Sequence, residues 1–67
     1  MAKIQLNGKK ITLNQKISLF DLLKKYKLDK KKVAVELNKK IVIKQMYKKK
    51  ILKNNDKIEI VQFIGGG

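Results

Sequence analysis

The chain has 67 residues and a formal net charge of +13, with 18 lysines, five acidic residues and no arginine, histidine or cysteine. This composition excludes disulfides, zinc sites with the usual ligands, thiol chemistry and acid–base catalysis by histidine. Because arginine is absent and the lysines are scattered over the whole chain, we expect no specific nucleic-acid partner.

The first 13 residues predict a β-hairpin. Residues 2–6 alternate apolar and polar side chains, which is the pattern of a half-buried strand. Asn7-Gly8 follows, and both residue types tolerate the positive φ angles of a tight hairpin turn. The alternation resumes over residues 11–13, so that Ile11 and Leu13 are predicted to point inward.

A short helix is predicted after the hairpin. Ser18 has the character of an N-cap, and Asp21 lies three residues on, where it can interact with the N–H groups of the first turn. Leu28 is expected to pack as the helix ends. In so small a chain the apolar face of this helix is core rather than a partner-binding surface, and it consists of Leu19, Leu22, Leu23 and Tyr26.

Two further strands are predicted over residues 33–37 and 41–43, joined by a turn at residues 38–40. Residues 44–50 show no clear period, and Met46 and Tyr47 are expected to tuck under the edge of the sheet. The first of these two strands places three apolar side chains on one side, namely Val33, Val35 and Leu37.

The last predicted strand is almost uninterruptedly apolar and ends at Ile64. Such a run is typical of a central strand, and we expect it to be covered on one face and shielded on the other. If Ile58 and Ile60 face the helix, Val61 and Phe63 face away from it. Single exposed apolar side chains are common. These two lie beside the C-terminal segment, however, and we therefore predict that they dock a partner.

Together the elements predict an α+β fold, in which a mixed sheet of four to five strands is packed on one face by a single helix. Residues 1–63 are predicted to form this domain, and residues 64–67 a flexible C-terminal glycine tail. No apolar run approaches the roughly 20 residues that cross a bilayer, and no signal peptide is recognisable. We expect a soluble, cytoplasmic monomer without a membrane partner.

The C-terminal Ile64-Gly65-Gly66-Gly67 is the candidate functional segment. Glycine has no Cβ, so its backbone fits a channel too narrow for other residues, and four extended residues reach about 13 to 14 Å. Glycines are also common at chain ends that nothing orders. We predict that Ile64, Gly65 and Gly66 enter the active site of a partner. Gly67 would then present an ionised α-carboxylate as the reacting group.

The chain resembles the ThiS family, the sulfur carriers of bacterial thiamin biosynthesis, which have the ubiquitin-like β-grasp fold. The resemblance covers essentially the whole chain, and the terminal glycines are its most specific part. Asn55 stands where the family usually has glycine, and the lysine content is unusually high. The matching segments are Ile4–Gly8, Ser18–Leu23, Val33–Asn38 (the family's "VAVxxN" strand), Ile41-Val42, Asn55–Ile60 (its "GDxIEI" segment) and the C-terminal residues 63–67 (its "FVGGG" end).

This resemblance implies a role for the tail and a set of partners. The Gly67 carboxylate would attack the α-phosphate of ATP inside a ThiF-type adenylyltransferase. Sulfur from a cysteine desulfurase relay would then displace AMP and leave a thiocarboxylate on Gly67. A ThiG-type thiazole synthase would take that sulfur into the thiazole of thiamin. The chain has no phosphate-binding glycine loop and no cysteine. We therefore expect a carrier rather than an enzyme, with no bound cofactor and with ATP used by the partner.

Three alternatives remain open at this point. A MoaD-like sulfur carrier for molybdopterin shares the fold and tail chemistry, although such chains tend to be longer, with an aromatic and arginine-bearing first strand that residues 2–6 lack. A ubiquitin-like modifier conjugated to lysines is the second. The third belongs to another class, a small basic RNA-binding domain. An enzyme has little support, because the five acidic residues are scattered and no pair has a spacing that predicts catalysis.

Overall fold

The computed structural model describes residues 1–63, in which five strands form one mixed sheet in the order β2-β1-β5-β3-β4. The helix α1 spans Leu19–Lys25, and two short 3-10 turns span Lys30–Lys32 and Lys44–Met46. The predicted order of strands and helix is confirmed. The strands are β1 (Ala2–Leu6), β2 (Lys9–Leu13), β3 (Val33–Leu37), β4 (Lys40–Val42) and β5 (Lys57–Gln62).

The predicted N-terminal hairpin is present, with β1 and β2 antiparallel and Ile4 opposite Ile11. Asn7 has a φ of 49° and Gly8 a φ of 83°. Positive φ at both central residues gives the turn a twist that matches the twist of the strands it joins. Leu13 is buried and Ile11 is half-buried, and both belong to the apolar side of the hairpin.

Helix α1 begins with the capping box that the sequence predicts. The Ser18 hydroxyl oxygen accepts a hydrogen bond from the Asp21 backbone N–H at 3.1 Å, and the Asp21 carboxylate accepts one from the Ser18 N–H at 3.1 Å. Two donors that the helix leaves without intrahelical partners are thereby satisfied. The Leu19 N–H donates to the Lys50 carbonyl at 2.8 Å, which ties the start of α1 to the segment before β5.

Tyr26 does not belong to the core, and its predicted place on the buried face is wrong. The helix ends at Lys25, and Tyr26 is its C-cap with φ −96° and ψ 11°. The 3.6-residue period therefore stops before Tyr26, whose side chain is 42% exposed. Leu28 is partly buried against the core, as predicted. The helix buries Leu19, Leu22 and Leu23.

The segment between β4 and β5 completes the core. Tyr47 is only 2% exposed, and Met46 is half-buried, as their predicted position under the sheet edge requires. β4 lies one residue earlier than predicted, because Ile43 leaves the strand and precedes the second 3-10 turn. Asn55 has a φ of 72°. A left-handed backbone at this position explains why glycine suits it and why asparagine substitutes for it.

β5 is the central strand, as predicted, parallel to β1 and antiparallel to β3. Its inner face carries the buried Ile58 and the half-buried Ile60. The expectation that its other face is shielded is wrong, since Glu59 and Val61 are exposed. Within residues 1–63 the helix and the core side chains lie on one side of the sheet. We call the opposite side the outer face. The fold is the predicted two-layer β-grasp arrangement.

Candidate docking surface

The predicted site residues fall into two groups. Ile64, Gly65, Gly66 and Gly67 lie outside the described residues, so their predicted roles stay predictions, as does the boundary between a domain at 1–63 and a tail at 64–67. Val61 and Phe63 lie within the described part of the chain.

Val61 lies near the end of β5 on the outer face, and Phe63 directly follows the last residue of that strand. Val61 lies opposite Ala34 of β3 and is 63% exposed, while Phe63 is 49% exposed. The Phe63 N–H donates to the Lys32 carbonyl at 2.8 Å, so the backbone stays bound to the neighbouring segment one residue beyond the strand. Two apolar side chains are thus held at the point where the described chain ends.

Two further exposed apolar residues extend this surface, and neither was predicted from the sequence to belong to it. Ile41 and Ile43 are 78% and 60% exposed, whereas Val42 between them is buried. Alternation along an edge strand of a sheet with one covered face places every second side chain outside. The sequence signal is ambiguous, because alternation over three consecutive apolar residues allows either the middle one or the outer two to face the core. We call Ile41, Ile43, Val61 and Phe63 the outer patch.

The register of β3, β4 and β5 brings the outer patch together. Glu36 of β3 lies opposite Ile41 on one side and opposite Glu59 on the other. The next outward pair along β3 and β5 is Ala34 with Val61. Ile43 directly follows β4, whose last residue, Val42, pairs with Val35.

The outer face has a second, basic half on the far side of the glutamates. Gln5 of β1 lies between Lys10 of β2 and Lys57 of β5 in the sheet register. The surface therefore changes along β5 from a lysine through a glutamate to apolar side chains. The outer face is therefore electrostatically asymmetric along β5.

Two asparagines hold β5 in place from opposite sides. The Asn7 side-chain oxygen accepts a hydrogen bond from the Ile60 N–H at 2.7 Å, immediately before Val61. At the other end of the strand, the Asn38 side-chain oxygen accepts one from the Lys57 N–H at 2.9 Å. The sequence identified both asparagines only as turn residues. Their second role depends on strand order, which local pattern does not give.

The helix side of the molecule carries a different cluster. The ammonium groups of Lys24, Lys30 and Lys48 lie 5.8, 5.6 and 4.9 Å from the centre of the Phe20 ring. The face of an aromatic ring attracts cations, which offsets part of the repulsion among the three lysines. These contacts account for Phe20, a half-buried aromatic at the start of the helix.

Among residues 1–63 no group of three or more histidine, cysteine, aspartate or glutamate side chains is arranged to hold a metal ion. The same residues contain no helix with the length and apolar character needed to span a membrane. Burial raises the pKa of the Tyr47 phenol above its ordinary value of 10.0. Tyr47 is thus a neutral core side chain rather than an acid or base.

Comparison with known proteins gives a consistent result over the length of the chain. The ThiS family model matches residues 3–67. The chain is 45% identical over 65 residues to the sulfur carrier protein ThiS of Bacillus subtilis, covering 96% of this chain and 98% of that protein. It also resembles the crystal structure of a thiamine biosynthesis protein (ThiS) from Geobacter metallireducens, with a TM-score of 0.80 and 28% identity. That match covers 97% of this chain and 99% of the other.

Two larger relatives contain a similar stretch. The chain is 40% identical over 65 residues to a thiazole synthase of Paramagnetospirillum magneticum and 42% identical over 65 residues to a thiazole synthase of Magnetococcus marinus. Each match covers 97% of this chain and 20% of the relative. The chain therefore spans about a fifth of the length of these two proteins.

Proposed function

The chain belongs to the ThiS family and is a sulfur carrier protein of thiamin biosynthesis, and we propose that it carries the sulfur on the C-terminal carboxyl group of Gly67. The observation that carries this proposal is the family match, which runs through residue 67 and so includes all three terminal glycines. The absence of cysteine from the sequence supports it, because no thiol of the chain itself is present to hold sulfur.

The chemistry requires activation of the carboxylate. A carboxylate oxygen of Gly67 attacks the α-phosphorus of ATP, pyrophosphate leaves, and an acyl-adenylate forms. The outer sulfur of a cysteine persulfide then attacks the acyl carbon, and AMP leaves. A thiol then attacks the cysteine sulfur of the resulting acyl disulfide, forms a disulfide with that cysteine and releases the thiocarboxylate. Activation is needed because AMP is a far better leaving group than the oxide of a free carboxylate.

The division of labour follows from what the chain contains. It is a carrier and not a catalyst, so the groups that bind ATP and stabilise the transition state of adenylation belong to a partner. We propose a ThiF-type adenylyltransferase for this step, with ATP as its substrate rather than a cofactor of the carrier. Ile64, Gly65 and Gly66 are proposed to extend into that enzyme's active site and bring Gly67 to the α-phosphate.

The carrier works with enzymes of the thiamin pathway, and we propose which ones. A cysteine desulfurase relay supplies the sulfur, and a ThiG-type thiazole synthase receives it. The two thiazole synthases that contain a ThiS-like stretch support the second assignment, since a carrier joined to its acceptor has a high effective concentration there. A cytoplasmic location and a monomeric free carrier are part of the same proposal.

The outer patch is proposed to dock these partners. Val61 and Phe63 lie next to the C-terminal segment, and Ile41 and Ile43 widen the same surface across β3 and β4. Burying exposed apolar side chains releases water and stabilises a complex by roughly 25 cal/mol per Å² of apolar area before the costs of association. A patch at the base of the tail lets docking and tail insertion occur together.

The decisive experiment is intact-protein mass spectrometry of the full chain after incubation with ATP, the adenylyltransferase and a persulfide sulfur donor. The expected product has gained the mass of one oxygen-to-sulfur exchange, located in the C-terminal peptide. A chain lacking Gly67 is the matched control and stays unmodified. Isopeptide-linked adducts with other proteins, in place of this mass change, would favour a modifier and contradict the proposal.

A further inference from the structure

Three of the five acidic side chains have a structural task. Asp21 completes the capping box of α1, and Asp29 accepts a hydrogen bond from the Lys31 N–H at 2.9 Å at the first 3-10 turn. Asp56 accepts one from the Lys53 N–H at 2.7 Å before β5. Within residues 1–63, the two glutamates accept no side-chain hydrogen bond, so the local fold does not explain them.

These glutamates, Glu36 and Glu59, lie directly opposite each other on β3 and β5. Facing residues of antiparallel strands have Cβ atoms about 4.5 to 5.5 Å apart, and like charges in that position destabilise the sheet. In a chain with 18 lysines and five acidic residues, a facing pair of carboxylates is the least expected arrangement. The sequence alone does not show this facing pair, because the two glutamates are far apart along the chain.

The surroundings of the pair indicate what it binds. Ile41 lies on the other side of Glu36, and the Ala34–Val61 pair borders the two carboxylates along the strands. A protein that covers the outer patch thus removes water from one side of the glutamates. Two carboxylates that lose water in this way need a cation brought by the partner, since buried charge without a counter-charge is strongly unfavourable.

Arginine fits this position better than lysine. Its planar guanidinium presents five N–H donors, enough to bond both carboxylates at once, and it gives up water more readily than an ammonium group. Lys57 lies on the same face two positions before Glu59, at the basic rather than the apolar end of the pair. Lys57 therefore does not cover the side of the glutamate pair that faces Val61, and a partner can reach the pair from there.

We propose that Glu36 and Glu59 together bind an arginine side chain of the thiazole synthase, and that this contact sets the register of the carrier on its acceptor. The inference rests on the proposed function for the choice of partner. It assigns the two glutamates a positioning role, because a contact with an arginine orients the carrier and takes no part in the sulfur chemistry. The apolar side chains supply contact area, and the carboxylate pair supplies orientation.

The test measures the affinity of the full-length carrier for the thiazole synthase by calorimetry, together with the melting temperature of each carrier. Glu36→Gln and Glu59→Gln are each expected to weaken binding by about tenfold or more. Their melting temperatures are expected to stay the same or rise, because carboxylate repulsion is relieved. Gln15→Lys is the matched control: it raises the net charge by the same single unit at an exposed residue in the loop after β2, and it should bind like the unmodified carrier.

Each other outcome contradicts the inference. If the glutamine variants bind as tightly as the unmodified carrier, the thiazole synthase does not recognise the two carboxylates. Weaker binding with an equal fall in melting temperature would show a structural role. Weakening of the same size in Gln15→Lys would show general charge steering. If the unmodified carrier gains its thiocarboxylate but does not bind thiazole synthase, this inference fails while sulfur loading on Gly67 stands.

Discussion

The side chain of Asn7 forms two hydrogen bonds with the backbone of Ile60, a residue 53 positions away. Its oxygen accepts from the Ile60 N–H at 2.7 Å, and its nitrogen donates to the Ile60 carbonyl at 3.3 Å. The hairpin turn residue thus supports β5 one residue before Val61. This contact joins a local feature of the sequence to the surface that the proposed function uses.

We predict that Asn7→Gly lowers the free energy of unfolding by about 1 to 2 kcal/mol, since it removes two hydrogen bonds while keeping a residue suited to the positive φ. Asn7→Ala should cost about 1 kcal/mol more, because alanine also strains the left-handed backbone. Urea unfolding of both variants measures the difference. If Asn7→Gly is as stable as the unmodified chain, the side-chain bonds do not hold β5.

Removal of Gly67 is predicted to abolish sulfur loading without changing the melting temperature. The reacting carboxyl group would then sit one residue short of the position that the partner's active site requires, while residues 1–63 stay unaltered. Gly67→Ala tests the narrow channel separately and should also block loading, because its Cβ does not fit. Mass spectrometry measures loading. Growth of a thiamin-requiring strain on a carrier without its final two glycines would disprove the role of the tail.

Phe63→Ser is predicted to weaken binding to the adenylyltransferase or thiazole synthase by about tenfold while changing the melting temperature little, because the half-exposed ring is buried only in the complex. Ile41→Ser should act in the same direction. Tyr26→Ser is the matched control, since Tyr26 is exposed to a similar degree at the end of α1, away from the outer face. A large fall in melting temperature for Phe63→Ser would instead place the ring in the core.

Asn55→Gly is predicted to keep or raise the stability of the fold, whereas Asn55→Ala should lower it by about 1 to 2 kcal/mol. The φ of 72° at this residue is the reason, because glycine adopts it freely and alanine does not. Thermal unfolding of both variants and of the unmodified chain measures the difference in stability. Equal stabilities would mean that the turn before β5 relaxes when the residue is replaced.

Stability is predicted to fall at high pH through Tyr47. Burial raises the pKa of its phenol above 10.0, so the folded state holds the proton more tightly than the unfolded state. The contribution is complete below the unfolded pKa and is lost as pH rises through the folded one. The measured quantity is the difference in the pH dependence of stability between the unmodified chain and Tyr47→Phe, which isolates the contribution of the phenol. Identical slopes would contradict the prediction.

Much of the architecture could be predicted from local pattern. The Asn7-Gly8 turn, the capping box at Ser18 and the alternation of β3 each depend on residues only a few positions apart, and each was confirmed. The prediction that Tyr26 lies on the buried face of the helix was wrong, because the spacing of apolar residues does not show where a helix ends. The shielded outer face of β5 was wrong for another reason: an apolar run indicates a central strand but does not tell how many layers cover it.

By itself, the sequence determined the elements and the α+β fold class, because turn chemistry, capping and hydrophobic period act over short distances. The β-grasp fold and the family were expected from the resemblance of its segments to those of ThiS proteins. Only the tertiary structure decided that Glu36 faces Glu59, that Asn7 holds Ile60 and that Ile41 joins Val61 on one surface. These contacts depend on strand order and register. Both are set by the packing of the whole sheet against one helix, and no short stretch of residues encodes them.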